Sequence, residues 1–194
     1  MTVRNAAVIL CAVAVFSAGC ASTPPARFYT LSATATPVTT VSLLSVAVGP
    51  VSMPDVADRP QLVLSTGPNE VELDEFNRWA SPLPDSLARV IADNLAALLG
   101  TSHVTLFPQV ASAEADYRVA IEVRRFESTP EESARLDAVW TVRSMKDGKT
   151  ETKRTIVLEP VTSGSHGALA AAHSRALARL SQEIARTICP SVCS

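Results

Sequence analysis

Between Pro82 and Leu99, apolar residues recur at Leu83, Leu87, Val90, Ile91, Leu95, Leu98 and Leu99. They form one stripe at 3.6-residue spacing, which predicts an amphipathic helix. Gly100 stands where that helix needs a left-handed stop. A second stripe, Leu169, His173, Leu177, Leu180, Ile184 and Ile188, predicts a helix from about Gly167 to Ile188. Elsewhere the period is two. Tyr117, Val119, Ile121 and Val123 alternate with polar or small residues in a strand reaching Phe126, and Leu136, Ala138, Trp140 and Val142 make another. Lys146-Asp147-Gly148-Lys149 is a hairpin signal, after which Thr152–Leu158 returns, giving a three-strand antiparallel meander. Shorter strands are expected at Arg27–Leu31, Leu43–Val51, Gln61–Ser65, Glu70–Leu73 and Val104–Phe107, with Gly49-Pro50 ending or bending the second of these. Two helices that each need a sheet face to cover imply an α+β fold: a mostly antiparallel sheet with both helices packed on one face.

The N-terminus follows a different pattern. Ala6 to Ala18 is almost unbroken apolar sequence behind the single charge of Arg4. At about 13 residues it is too short for a bilayer core, which needs about 20, but it has the length of an export signal. Ser17-Ala18-Gly19 then leads into Cys20, and a small residue before a cysteine at the end of an export signal resembles the bacterial lipobox. In that pattern the cysteine is acylated and becomes the new N-terminus. Ser17 departs from it, because a branched aliphatic is usual there; the other reading is an ordinary secretory signal cleaved near Ala18 or Ala21. The expected organisation is therefore a lipoprotein signal peptide over 1–19, a Pro-bearing lipidated tether over 20–26, and a single periplasmic domain over 27–194.

Removing residues 1–19 from the 194 leaves 175, enough for one sizeable core, with 16 basic and 19 acidic residues. A net charge of −3 does not suggest nucleic acid as a partner. Of the four cysteines, Cys11 leaves with the signal and Cys20 takes lipid. Cys189 and Cys193 remain, and in an oxidising periplasm they are expected to close a short disulfide loop, with two free thiols as the alternative. No zinc set forms around them, since His103, His166 and His173 lack ligand spacing with the pair.

Catalytic signatures are missing. The seven glycines form no phosphate loop, and there is no Gly-x-Ser-x-Gly or His-Glu-x-x-His. Ser163-Gly164-Ser165-His166-Gly167 reads as the loop before the last helix, with Ser165 or His166 near its cap. His173, on the apolar stripe, reads as a hydrogen-bonded core histidine. The acidic run Glu70-Val71-Glu72-Leu73-Asp74-Glu75 has neither the oxygen cage nor the turn glycine that calcium needs. No enzyme, cofactor or metal is expected.

Two clusters stand apart: Asp58-Arg59-Pro60-Gln61 before a strand, and Arg78-Trp79 at the entrance to the first helix. The Arg78-Trp79 pair suits either a local cation–π contact or an interface hot spot. These clusters, with Arg27-Phe28-Tyr29-Thr30-Leu31 behind the lipidated cysteine, Arg78-Trp79-Ala80-Ser81-Pro82-Leu83, and Ala171-Ala172-His173-Ser174-Arg175-Ala176-Leu177 in the last helix, occur in an order that resembles the auxiliary lipoproteins of ABC-type transport systems, the PqiC (YmbA)-like family.

The resemblance implies an outer-membrane lipoprotein facing the periplasm and docked on a mammalian-cell-entry (MCE) domain protein. It implies a role without catalysis in moving phospholipid or other hydrophobic molecules between membranes, and assembly with itself as a homo-oligomer. Asp58, Arg59, Pro60, Gln61, Arg78 and Trp79 are then the candidate partner interface. Ala21, rather than Asp, follows Cys20, so by the sorting rule of enteric bacteria nothing retains the protein at the inner membrane. The other function open to the sequence is a structural or assembly outer-membrane lipoprotein with no lipid-transport role. Under either, Cys20→Ser is expected to give a folded protein released into the soluble periplasmic fraction that does not restore envelope integrity to a deletion strain. Full complementation by that variant would show the anchor to be dispensable.

Overall fold

The period-two segments assemble into one mixed sheet of eight strands in the computed structural model, which describes residues 24–190. In chain order the elements are β1 (Arg27–Tyr29), β2 (Val46–Ser52), β3 (Gln61–Gly67), β4 (Glu70–Trp79), α1 (Leu83–Leu99), β5 (Val104–Leu106), a 3-10 turn (Val110–Glu114), β6 (Tyr117–Thr129), β7 (Ser133–Ser144), β8 (Thr150–Pro160) and α2 (His166–Ile188). The long ladders, β6 with β7 and β7 with β8, are antiparallel, as is β3 with β4. This is the expected α+β fold. The strands outside the meander add a feature that local patterning did not carry: β1 joins β4, β2 joins both β5 and β6, and β3 joins β6, all in parallel.

β6 is the spine. One edge carries β7 along its length; the other is divided, with β2 on Tyr117–Glu122 and β3 reaching it where Leu64 faces Ser128. The β2 start is locked by reciprocal bonds. Ser45 N–H and Oγ–H donate to the Asp116 carboxylate at 2.8 and 2.7 Å, and Asp116 N–H donates to Ser45 Oγ at 2.9 Å. These bonds, the Ser45 side chain first, hold the Asp116 carboxyl below its ordinary pKa. Gly49-Pro50 bends β2 without ending it: the register against β6 shifts between Val48 and Val51, as expected where proline removes a ladder donor.

The two faces of the sheet differ in kind. Val119, Ile121, Val123, Phe126, Leu136, Ala138, Trp140 and Val157 point into the core, where the apolar stripes of α1 and α2 cover them. Leu87, Ile91, Leu95, Leu177, Leu180 and Ile184 are wholly buried there, each contributing about 1.5–3 kcal/mol over the exposed state. On the opposite face, Arg154 donates from Nε and Nη2 to Asp137 at 2.8 and 2.7 Å. That fork holds the Asp137 carboxyl below its ordinary pKa against the cost of its burial. The segment after β1, expected as a loop, straps the helix pair. The buried Asn94 Oδ1 accepts from Thr34 and Ala35 N–H at 3.0 Å, and Ser174 Oγ accepts from Ser32 N–H at 3.1 Å.

Gly100 ends α1 at φ +61°, its N–H donating to Ala96. A Cβ here would lie 1.8 Å from the Thr40 carbonyl oxygen, and the same segment is bonded back through Ser42 N–H to the Gly100 carbonyl at 2.8 Å. Both the left-handed backbone and this close approach require glycine. Gly100→Ala is expected to destabilise by more than about 1 kcal/mol in urea melts; an unchanged midpoint would refute the packing of 38–42 on the helix end.

Candidate functional site

The two sequence clusters, separated in the chain by most of β3 and most of β4, meet in space. Trp79 N–H donates to the Pro60 carbonyl at 2.7 Å, Gln61 pairs with Arg78 across the β3–β4 ladder, and Ala80 N–H donates to the Tyr29 carbonyl at 2.9 Å. The 54–60 turn is closed by Ala57 and Asp58 N–H, both donating to the Pro54 carbonyl. Between this turn and the entrance to α1 lies a groove of about 360 Å³ lined by Asp58, Arg59, Pro60, Trp79, Ala80, Ser81 and Pro82. Asp58, Arg59 and Pro60 are exposed on its rim, and Ser81 hydroxyl shares a 2.7 Å bond with Ser86 one turn into the helix.

Arg78 and Trp79, adjacent in sequence, have opposite environments. Arg78 is half-buried and turns back on its own strand, with Nε donating to the Glu75 carbonyl at 2.9 Å and Nη2 lying 3.4 Å from the Glu75 carboxylate. Among the described residues the cation–π contact that forms is Lys153 over Trp140. Trp79 is only 6% exposed and, as the buried residue of the groove lining, makes its floor. It stands edge-on to Phe126 and to His173, with ring centroids 6.0 and 6.3 Å away. The hot-spot types favoured at interfaces thus divide between a rim, Asp58–Pro60, and a structural floor, Trp79.

Beneath that floor His173 is fully buried. Its ring stacks on Phe126 at 3.8 Å, and Nε2 shares a 2.8 Å hydrogen bond with Ser128 Oγ. Nδ1 has no partner, so the tautomer with Nε2–H donating to Ser128 leaves the lesser penalty, an unpaired acceptor rather than an unpaired N–H. Burial pushes the imidazole pKa down to about 3, so the ring is neutral. This is the core histidine that its place on the apolar stripe predicts.

The other singled-out residues do not join the groove. Ser165 caps α2, accepting from Ala168 N–H at 3.2 Å. His166 Nε2 lies 2.9 Å from Asp74, with its ring 6.0 Å from Tyr29. Burial disfavours the Asp74 carboxylate, but the Asn77 side chain, the N–H groups of Asn77 and Phe76, and His166 outweigh it and hold its pKa below the ordinary value. Cys189 ends α2, half-buried, whereas Cys20 and Cys193 lie outside the described residues. Among the described residues no three metal-ligating side chains come together, and no helix is long and apolar enough to cross a membrane.

Comparison with known proteins follows the same lines. The chain matches the family model for the ABC-type transport auxiliary lipoprotein component over residues 29–185. Its fold is similar to the crystal structure of an uncharacterized protein, at TM-score 0.71 and 19% identity over 85% of this chain and 99% of that one. It is also similar to a DUF330 protein of Xanthomonas campestris, at TM-score 0.68 and 23% identity over 82% of this chain and 93% of that one. At such identities the likeness is one of fold. No match is found among curated proteins.

Because the His173 ring is neutral in the fold and charges in the unfolded chain, stability is full above pH 6.5 and falls as the pH drops from there toward 3. Between pH 6.5 and 4.5 this group by itself is expected to remove about 2 kcal/mol. His173→Leu should be less pH-sensitive over that window by this amount in urea melts, and an identical slope would show that the ring is not buried neutral.

Proposed function

This chain belongs to the family of ABC-type transport auxiliary lipoprotein components, and on that premise we propose that it is the lipid-anchored periplasmic accessory subunit of an MCE-type intermembrane lipid transport system. The family is one of auxiliary components rather than of enzymes. In this reading Cys20 holds the domain at the outer membrane facing the periplasm, the partner is the MCE-domain protein of the same system, and the subunit assembles with itself. The role supports envelope integrity by docking; the energy comes from other subunits.

The observation that carries the docking role is the convergence of Asp58–Pro60 with Trp79–Pro82 on one groove. Its floor is held in place, because Trp79, the last residue of β4, packs edge-on against Phe126 and His173. Its rim offers an acid and a base side by side, so a partner inserting an apolar side chain meets a pre-formed seat with polar edges, as interface anchors need. Pre-formation lowers the ordering cost of association.

The test separates docking from folding. Trp79→Ala is unsuitable, since truncating a buried tryptophan costs about 3–5 kcal/mol of stability wherever it occurs. The exposed rim carries the experiment: the double variant Asp58→Arg, Arg59→Glu should melt as the wild type does. From envelopes solubilised in mild detergent, the wild type is expected to co-purify an MCE-domain protein, and the rim variant at least about tenfold less of it, the effect of about 1.4 kcal/mol. Failure of the wild type to retain any MCE protein would overturn the transport reading, whereas equal retention by the rim variant would overturn only the groove.

A further inference from the structure

β4 alternates in the sense opposite to the strand beside it. Leu62 and Leu64 of β3 are buried in the core, and the β4 residues paired with them are Asp74 and Glu72. The aliphatic residues of this stretch, Val71 and Leu73, pair instead with Ser65 and Val63 on the face that no helix covers, where they are 48% and 36% exposed. Successive side chains of a strand point to opposite faces. Here the acids hold the inner positions and the aliphatics the outer ones, so burial in the core of this chain does not account for Val71 and Leu73.

The same face continues onto β1. Phe28 pairs with Arg78, and Arg78 pairs with Gln61, two residues before Val63 on β3. Phe28 therefore shares the outer face, and it is 64% exposed. Phe76, in the β4 bulge, is also exposed, and Val56 in the 54–60 turn borders a hollow of about 350 Å³ with Val63 and Val71. Phe28, Val56, Val71, Leu73 and Phe76 are five of the twelve large apolar side chains exposed among the described residues. Their gathering on a wing of three strands marks a surface that meets an apolar phase.

The length of the tether says which phase. Seven residues, 20–26, separate the acylated cysteine of the proposed function from Arg27 at the start of β1. Fully extended they reach at most about 25 Å. The headgroup layer takes up about 5–8 Å of that, and Pro24-Pro25 stiffens the remainder. The β1–β4 wing is thus held within about 20 Å of the lipid however the domain turns. A protein partner would have no such reason to meet this wing, whereas lipid is the apolar phase that the anchor brings beside it. Charge agrees: Arg27 is exposed and makes no ion pair among the described residues, which suits a lipid phosphate, and Glu72 and Asp74 are turned to the opposite face.

We infer that the helix-free face of the β1–β4–β3 wing seats on the lipid surface. Phe28, Val71 and Leu73 enter the boundary between headgroups and acyl chains, and Arg27 lies at the phosphates. The inference rests on the anchor contained in the proposed function and adds the orientation that goes with it, this wing toward the lipid and the helix layer away from it.

Hydroxyl-radical footprinting supplies the test. The full-length acylated protein in phosphatidylethanolamine–phosphatidylglycerol vesicles, without any partner, is compared with the Cys20→Ser chain in dilute solution. Oxidation of Phe28 and Leu73 is expected to fall at least about threefold on the vesicles, while Leu43, 84% exposed beside the start of β2, keeps its solution rate. The double variant Val71→Ser, Leu73→Ser changes only exposed side chains and should melt as the wild type does. It remains on the vesicles through its lipid but returns Phe28 to within about twofold of the solution rate. Should the pair lower the melting temperature, Leu73→Ser alone replaces it. An acylated wild type oxidised at the solution rate, or a normally melting variant that keeps Phe28 protected, would overturn the seating and leave the anchor in place. Protection that develops in the Cys20→Ser chain without vesicles as its concentration rises would assign the face to a second copy instead. A wild type whose mass shows no acyl groups would overturn the anchor and the seating with it, and co-purification of an MCE protein is measured independently of both.

Discussion

The junction of helices and sheet depends on an imidazole kept out of water. His173 comes from α2, Phe126 and Ser128 from β6, and Trp79 from the end of β4, and they meet in one cluster. Burying a charged ring there would cost far more than the single hydrogen bond to Ser128 returns, so the ring is neutral and its stacking partners hold it. Trp79, fixed against that cluster, presents its backbone N–H to Pro60 and so brings the 54–60 turn against the start of α1. The groove at the surface is the outer side of this buried contact. A polar residue in the core and a docking rim at the surface are therefore one mechanical unit.

The divided edge of β6 sets the remaining architecture. Because β2 and β3 share that edge, the sheet branches, one branch running to β5 and the other through β4 to β1, and β8 pairs only with β7. One face is sealed by α1 and α2; the other is laced with arginine–carboxylate pairs such as Arg154–Asp137. The described residues offer a groove with a buried tryptophan in its lining and open strand edges at β4 and β8. Presentation of surfaces is what an auxiliary component of a larger assembly requires, and a membrane anchor adds the position from which they are presented.

Local chemistry was legible wherever it acts over a few residues. Both helices appear where their stripes place them, Gly100 and Ser165 cap them as their residue types require, and the β6–β7–β8 meander follows its alternation and its Asp147-Gly148 turn. β4 runs on to Trp79, beyond the Glu70–Leu73 segment that its alternation predicts. Its alternation breaks after Leu73 because the register slips between Gln61 and Leu62, and Asp74 accepts the N–H groups of Phe76 and Asn77 across the bulge. Period-two patterning cannot carry a strand through such a bulge. The strap at Ser32–Ala35 looked like a loop because its partners, Asn94 and Ser174, are about 60 and 140 residues away.

What the sequence alone determined was the kind of elements, the polarity of their faces, and, through the order of its motifs, the family. Those are properties of spacing along a chain, and side-chain period and capping act locally. Tertiary structure alone decided which strands run in parallel, that Trp79 is a floor and not a rim, and that Asp58–Pro60 meets Trp79–Pro82. Adjacent residues in an extended strand point to opposite faces, so Arg78 and Trp79 had to separate. Which of them was buried depended on where β6 and α2 put Phe126 and His173.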